Sequence, residues 1–336
     1  MINVTYDYEY KNHHGGIGRD SRNLLSYLNQ RGDLNITALN LSRPKNRMFR
    51  AINRLKERNL EIDSDLHFSP QIGSRTPHSK YKGIWIVRVH DLFPLTNPEW
   101  FPKIAVVLFW LATRKIKQRS PYLLYNSEFT RNEILRVIPE YDPNKLLYFP
   151  CGSEIESFDQ PCYVCEVCVE GVPDSAFCLT VGTLEPRKNY EFLVQEFLRA
   201  NMSNYKLVIA GAYGWKQNRL RRKLRTSHNK NIIWISNVCD YGLHQLYAQA
   251  DFYISNSFAE GFEIPLIEAR FHSLPLLLSD IEIHREMHGD VAWFFVNENF
   301  EASLKKFMLG RRSPTTRWIV DFQKITLKGF LDELHS

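Results

Sequence analysis

Two adjacent cations and two spaced carboxylates are the clearest chemical signal in this sequence. Arg187 and Lys188 follow the apolar run FCLTVG (177–182), inside VGTLEPRKN (181–189). An arginine fork beside a lysine point charge suits a diphosphate; the plain alternative is a solvated basic turn. Further on, SFAEGFEIPLIEA (257–269) carries Glu260 and Glu268 with seven residues between them. Pro265 suits the first turn of a helix, so Glu268 falls within that turn or just past it. An acid there could accept hydrogen bonds from a ribose diol. The Glu260-Gly261-Phe262 loop would offer backbone N–H groups to phosphate and a carboxylate to a sugar.

The first half holds weaker signals. HHGGIGRDS (13–21) places Gly15, Gly16 and Gly18 ahead of an apparent helix, Ser21–Leu28. Such a loop lets backbone approach a ligand, and a helix start favours an anion. The spacing is not G-x-G-x-x-G, and the next strand ends Asn40-Leu41-Ser42-Arg43, without the acid a dinucleotide site wants. A tight turn is the alternative. His90-Asp91 follows a strand-like run, where a histidine could donate to a phosphate or a sugar hydroxyl; taken alone, a structural histidine explains it too. Cys162, Cys165 and Cys168 make two CxxC steps, with Cys151 or Cys178 as a conceivable fourth ligand. We read them as free thiols in a linker. No Asp-x-Asp motif that would hold a metal is identified.

These residues need elements to position them. Ten short apolar runs recur: 2–6, 35–41, 66–70, 83–90, 121–127, 177–182, 206–211, 231–236, 251–257 and 274–280. Amphipathic stretches such as 189–200 and 240–250 separate the later ones. Strands alternating with helices mean parallel sheets covered on both faces. The fold class is therefore α/β, with two Rossmann-like doubly wound domains facing across a cleft. Expected boundaries are 1–150, a linker at 151–172, a second domain at 173–312, and a C-terminal helix at 313–336 that packs back on the first domain. Ligands bind beyond the carboxyl ends of such strands. That brings in the 13–19 loop with Gly16, His90-Asp91, Ser127, the 183–188 turn with Gly182 just before it, Gly211, Asn237-Val238 and the segment 257–263.

Composition sets the remaining bounds. The 336 residues are 44% apolar and 24% charged, an ordinary globular balance. The longest apolar run, 104–112, is too short to span a membrane, and MINVTYDYEY does not read as a signal peptide. The expectation is a cytoplasmic protein. Residues 1–150 hold 23 basic and 14 acidic side chains; the rest hold 20 and 23. Arg43–Arg58 carries seven cations and one acid, and four cations lie within Arg114–Arg119, after the apolar stretch at 104–112. An apolar surface beside Lys and Arg suits an anionic bilayer; a buried helix with a basic end is the alternative. Aromatic and basic residues are not interleaved as in nucleic-acid modules, so a nucleic-acid partner is not expected.

The chain resembles glycosyltransferase family 4, retaining enzymes of the GT-B fold. VGTLEPRKN, SFAEGFEIPLIEA and SDIEIHREMHGDVAWFF (279–295) carry the likeness most strongly; GGIG, VHDLFP and NSEFT support it in the first half. The nearest flavour is the bacterial, mannosyltransferase-like branch that builds surface polysaccharides such as O-antigen. The resemblance implies that Arg187 and Lys188 bind the donor diphosphate and stabilise the leaving nucleotide. Glu260 would contact the donor sugar, framed by Gly261 and Phe262. Glu268 would bind ribose, the Asn237-Val238 loop the base, His90 would sit near the transferred sugar and Gly16 near the diphosphate. GDP-mannose is the favoured donor. The acceptor is a glycan or lipid-linked saccharide, and no metal or other cofactor is expected. A nucleotide-sugar epimerase and a non-catalytic nucleotide-sugar scaffold are the alternatives. Two departures matter. Glu263 replaces a frequent small or glycine residue and is expected to add charge beside the sugar. Thr183 stands where some relatives carry a further arginine.

Overall fold

The computed structural model describes residues 1–7, 16–39, 63–74, 77, 80–151, 167, 172–202, 205–226, 231–310, 315 and 326–335. The CxxC cysteines and the basic segment 43–58 lie outside them. The chain forms two compact units. One holds Met1–Glu99, Lys103–Gly152 and Val320–Ser336; the other holds Trp100–Pro102 and Ser153–Ile319.

Each unit is built on a six-stranded parallel sheet. In the first, β1 (Ile2–Asp7), β2 (Leu34–Leu39), β3 (Leu66–Ser69), β4 (Ile84–Arg88), β5 (Tyr122–Tyr125) and β6 (Leu146–Tyr148) lie in the order β2-β1-β3-β4-β5-β6. In the second, β7 (Phe177–Val181), β8 (Lys206–Ala210), β9 (Ile232–Ile235), β10 (Phe252–Ser255), β11 (Leu276–Ser279) and β12 (Ala292–Phe295) lie in the order β12-β11-β10-β7-β8-β9. All ten apolar runs expected as strands are strands. Two further strands among the described residues, β6 and β12, each at one edge of its sheet, were not expected.

The helices follow from what the strands bury. Every residue of β7 and β10 is buried, as central parallel strands require. Phe177, Leu179 and Val181 pack with Leu243 and Leu246 of α7 (Asp240–Gln249) and with Leu266 and Ala269 of α8 (Ile264–Phe271). Cys178, Phe252 and Ile254 instead meet Leu193 and Phe197 of α5 (Tyr190–Arg199) and Leu304 and Phe307 of α10 (Phe300–Leu309). Alternate strand residues thus serve opposite helical layers.

In the first unit, Val4, Tyr6, Phe68 and Ile86 pack with Leu24 and Leu28 of α1 (Gly16–Asn29). Leu327 and Leu331 of α11 (Thr326–His335) complete that core. The Phe330 ring of α11 lies 4.5 Å from that of Tyr122, and Asp332 pairs with Arg31 at 2.8 Å. On the other face Trp85, Val87 and Leu123 pack with Ala112 and Ile116 of α3 (Lys103–Arg119) and Ile134 of α4 (Glu128–Val137). Helix α1 begins at Gly16 rather than Ser21, so Gly16 and Gly18 form its first turn instead of a loop ahead of it.

An ion pair gathers the carboxyl ends of the first sheet. Arg88, 1% exposed, ends β4. Its Nε and Nη2 donate to the two oxygens of Asp20 in α1 at 2.8 and 3.0 Å. Its Nη1 donates to the carbonyls of Tyr125 and Phe149, and Nη2 also reaches Cys151 Sγ at 3.3 Å. Burial acts to raise the Asp20 pKa, but Arg88 outweighs it and holds it below the usual range. Removing one partner of such a pair strands the other charge. Arg88→Met is expected to lose about 3–5 kcal/mol of stability in urea unfolding, and adding Asp20→Leu to recover most of the loss.

Candidate active site

In the second sheet the strand order reverses between β7 and β10, which are neighbours although two strands separate them in sequence. A doubly wound sheet binds ligands at such a reversal, outside the carboxyl ends. The segments leaving those two ends are Gly182–Asn189 and Asn256–Glu263, where the cations and the first glutamate lie.

The turn after β7 depends on close main-chain approach. Gly182 (φ +153) and Gly211 (φ +154) both adopt backbone conformations that disfavour a side chain. A Cβ on Gly211 would lie 2.1 Å from the Gly182 carbonyl oxygen. One on Gly182 would meet Tyr190 Oη at 3.0 Å and Lys188 Cε at 3.1 Å. These glycines let β7 and β8 end side by side and bring the Lys188 stem against the backbone. Pro186–Lys188 then forms a single 3₁₀ turn, and Asn189, left-handed at φ 51°, starts α5.

The cations face the carboxylates directly. Lys188, 7% exposed, donates from Nζ to Glu260 Oε1 at 2.7 Å and to Glu263 Oε1 at 2.9 Å. Arg187 pairs with Glu260 Oε2, donates to the Ala259 carbonyl at 2.8 Å and reaches Glu185 at 2.5 Å. Ser257 Oγ donates to Glu260 at 2.7 Å. Burial disfavours the Lys188 ammonium, yet Glu260 and Glu263 more than offset it, so its pKa lies above the ordinary value. Burial likewise opposes the Glu263 carboxylate, but Lys188 and His284 prevail and hold its pKa well below the usual range.

Glu263 corrects one expectation. Its side chain turns inward and is buried, so its charge is engaged inside the protein instead of being presented to a ligand. It accepts from Ser255 Oγ at 3.0 Å and from His284 Nε2 at 2.7 Å, as well as from Lys188. His284, in α9 (Glu282–His288), directs its other ring nitrogen to the Ser279 carbonyl at 2.8 Å. Glu263 adopts φ +66, a conformation where glycine would be easy, so these contacts hold a strained residue in place. His284 and Ser255 were not picked out in the sequence, whereas Ser257 opens the candidate segment 257–263. His284 lies inside the family-like segment 279–295, but its role depends on the conformation of Glu263, which spacing does not reveal.

The other predicted residues are distributed as follows. Gly261 and Phe262 are buried in the loop before α8. Glu268, 3% exposed, lies just past the first turn of α8, where Pro265 is the second residue; its Oε2 accepts from Tyr247 at 2.8 Å. Asn237 is exposed and Val238 half-buried, between β9 and α7. In the first unit Gly16 is exposed at the start of α1. His90 is half-buried; its Nε2 meets the Pro70 carbonyl at 3.1 Å and its Nδ1 lies 3.7 Å from Asp20. Burial lowers the His90 pKa, with Asp20 opposing. Asp20, His90 and Cys151 could present three metal ligands within 4.8 Å of one another. The Arg88 guanidinium already donates to two of them, so the cluster has its cation. One Asp-x-Asp triplet does occur, contrary to the sequence reading: Asp63-Ser64-Asp65. It precedes β3, and Asp65 accepts from the Asn3 backbone N–H at 2.8 Å, at the amino ends of the strands.

Residues 176–309 match the family described as glycosyl transferases group 1. The chain is similar to the serotype-specific mannosyltransferase WbdA of Escherichia coli, 29% identical over 262 residues, covering 71% of this chain and 31% of that protein. It is 27% identical over 219 residues to the O-antigen chain mannosyltransferase B of Escherichia coli, covering 61% and 55%. The chain thus spans less than a third of the length of the first of these relatives. Its fold resembles that of WaaG, a glycosyltransferase involved in lipopolysaccharide biosynthesis, with TM-score 0.60 and 16% identity over 92% of this chain and 91% of that one. The two-sheet architecture is the GT-B fold.

The histidines near α8 make the stability of the second unit respond to pH. His272, which follows α8, has its pKa lowered to about 4, by burial first and then by His244. The buried His288 is lowered to about 3, again mainly by burial. In the unfolded chain both take up protons near pH 6.5, so acid favours unfolding from pH 6.5 downward. His272→Phe, which keeps an aromatic ring, is expected to reduce the stability lost between pH 6.5 and 5 by about 1 kcal/mol or less after solvent screening, read from urea curves at each pH.

Proposed function

From the premise that the second unit belongs to the group 1 glycosyl transferases, we propose that the protein moves a hexose from a nucleotide-diphosphate sugar to a glycan or lipid-linked acceptor during surface-polysaccharide synthesis. GDP-mannose is the proposed donor, since the similar Escherichia coli proteins are mannosyltransferases. The proposed stereochemical outcome is retention. The observation that carries the reading is the cluster of Arg187, Lys188 and Glu260 at the strand-order reversal.

The chemistry follows from that cluster. As the bond from the anomeric carbon to the diphosphate breaks, negative charge grows on the departing oxygen. Preorganised cations lower the barrier to that step. Arg187 is the more exposed cation, with 14% of its side chain accessible against 8% for Lys188. We assign Arg187 the direct phosphate contact. The diphosphate takes the place of Glu260 on the guanidinium; Glu260 stays on Lys188 and Ser257 and turns its freed oxygen to the sugar. Lys188 holds Glu260 and adds positive potential from behind. Glu268 takes the ribose hydroxyls, the Asn237-Val238 loop the base, and Gly261 and Phe262 supply backbone beside the diphosphate. His90 and Gly16 are the proposed first-unit contributors, near the transferred sugar and the diphosphate. With the countercharge supplied by side chains, no resident metal is assigned.

Helix α3 supplies the proposed acceptor-side surface. Ile104, Val107, Leu108 and Trp110 are exposed on its first two turns, and Arg114 and Lys117 follow. The Arg114 guanidinium lies 5.9 Å from the Trp110 ring centre. No helix among the described residues is long and apolar enough to cross a membrane. Apolar side chains followed by cations fit the surface of an anionic bilayer, here the inner face of the cytoplasmic membrane. Co-sedimentation with phosphatidylglycerol vesicles is expected to fall for the Trp110→Ala, Arg114→Ala double variant. Equal binding to neutral and anionic vesicles would refute the electrostatic part.

Thermal unfolding with GDP, UDP, dTDP and ADP tests the donor site. A diphosphate at about 100 times its Kd adds about 2.7 kcal/mol, a shift of a few degrees. One nucleotide is expected to stabilise the wild type, and Glu268→Ala to lose the shift. Arg187→Ala should lower turnover on the order of 10²–10³-fold. Stabilisation by none of the four would leave a scaffold without a donor site.

A further inference from the structure

Tyr247 is a buried residue of α7 whose ring has little freedom. It lies against Tyr253 of β10, with ring centres 6.2 Å apart and planes 22° from parallel. It also lies against His272, at 5.5 Å and 9°. His244 in turn meets His272 edge-on at 4.6 Å. A close-packed aromatic column of this kind fixes the direction of the phenol oxygen. With a pKa near 4, His272 is neutral at physiological pH, so it stacks without placing a second charge beside Glu268.

The phenol reaches two oxygens of α8: the Pro265 carbonyl at 3.2 Å and Glu268 Oε2 at 2.8 Å. A tyrosine has one proton to give. The shorter, charge-assisted contact takes it, because donation to a carboxylate is the stronger bond. The terminal torsion of a glutamate is otherwise broadly distributed. A hydrogen bond to one oxygen from a ring that cannot swing sets the plane of the carboxylate. Because α7 and α8 pack on the same face of the sheet, the constraint passes from the core to the ligand residue within one unit.

We infer that Tyr247 is a positioning residue for nucleotide recognition: it orients the Glu268 carboxylate toward the ribose hydroxyls and so sets how strongly the protein prefers a ribonucleotide over one lacking those hydroxyls. The inference rests on the ribose role proposed for Glu268. Tyr247 acts through Glu268 and is a positioning residue, not a catalytic one.

The test is calorimetric titration with GDP, UDP and ADP, each beside its 2′,3′-dideoxy form, on wild type, Tyr247→Phe, Glu268→Gln and Tyr253→Phe. The quantity read is the ratio of dideoxy to ribo Kd. The wild type is expected to favour the ribonucleotide, and Glu268→Gln to bring the ratio close to one. Tyr247→Phe keeps the stacked ring; it is expected to lower the ratio by about tenfold, the value of one charged hydrogen bond, with dideoxy affinity unchanged. Tyr253 spends its hydroxyl on the Val181 backbone, so Tyr253→Phe should keep the wild-type ratio whatever it does to the melting temperature. If Tyr247→Phe keeps the wild-type ratio while Glu268→Gln loses it, Tyr247 does not position Glu268. If Tyr247→Phe weakens both nucleotides equally, its role is general packing and the inference falls. If Glu268→Gln keeps the preference, or no diphosphate binds, the ribose reading falls first and this one with it.

Discussion

Lys188 puts a full positive charge inside the second unit, and the surrounding structure is arranged around making that charge tolerable. Isolated in a protein interior, an ammonium would lose its proton or unfold its surroundings. Here Glu260 and Glu263 both face it within hydrogen-bond distance. Each of these acids needs partners in turn. Ser257 and Arg187 serve Glu260; Ser255 and His284 serve Glu263. The network spans the ends of β7, β10 and β11 and the start of α8. A buried charge of this kind is weak as a source of stability, because desolvation offsets most of the attraction. Its effect is on geometry, since it ties together members from different loops and strand ends.

The first unit solves the same problem with a different residue. Arg88 is buried more deeply than Lys188 and stands at the carboxyl end of a central strand, whereas Lys188 lies in the turn that follows one. Its planar fork meets both oxygens of one aspartate and still reaches two carbonyls. A lysine could not do that with three donors radiating from a point. His90 stands beside the same carboxylate, and Arg88 offsets part of the pull that Asp20 exerts on the imidazole.

Much of this was legible in the sequence because it rests on period and order. Parallel strands buried on both faces read as continuous apolar runs, which made ten of the twelve strands among the described residues visible. The two missed ones lie at sheet edges, and β6 has only three residues. Arg187, Lys188, Glu260 and Glu268 were visible because they bracket strand ends and a proline-marked helix start. Their relation to one another was less so. Glu263 looked like a charge added beside the ligand, because spacing does not reveal a left-handed backbone that turns the side chain inward. Gly182 and Gly211 were assigned to ligand contact, and the structure adds a packing reason for both. Tyr247 reads as one more apolar position on an amphipathic helix; only its hydroxyl, aimed at a residue 21 positions later, sets it apart.

Helix α11 has a consequence for how the protein comes into being. Leu327 and Leu331 are fully buried in the core of the first unit, although the whole of the second unit precedes them in the chain. During synthesis the first sheet leaves the ribosome early, yet one apolar face waits for residues made well over a hundred positions later. The second unit emerges as one nearly continuous stretch and holds everything its own core needs. Domains generally fold as they emerge; in this chain the later unit can close while the earlier one is still incomplete. The nascent first sheet is therefore the species most exposed to chaperone capture and to misassembly.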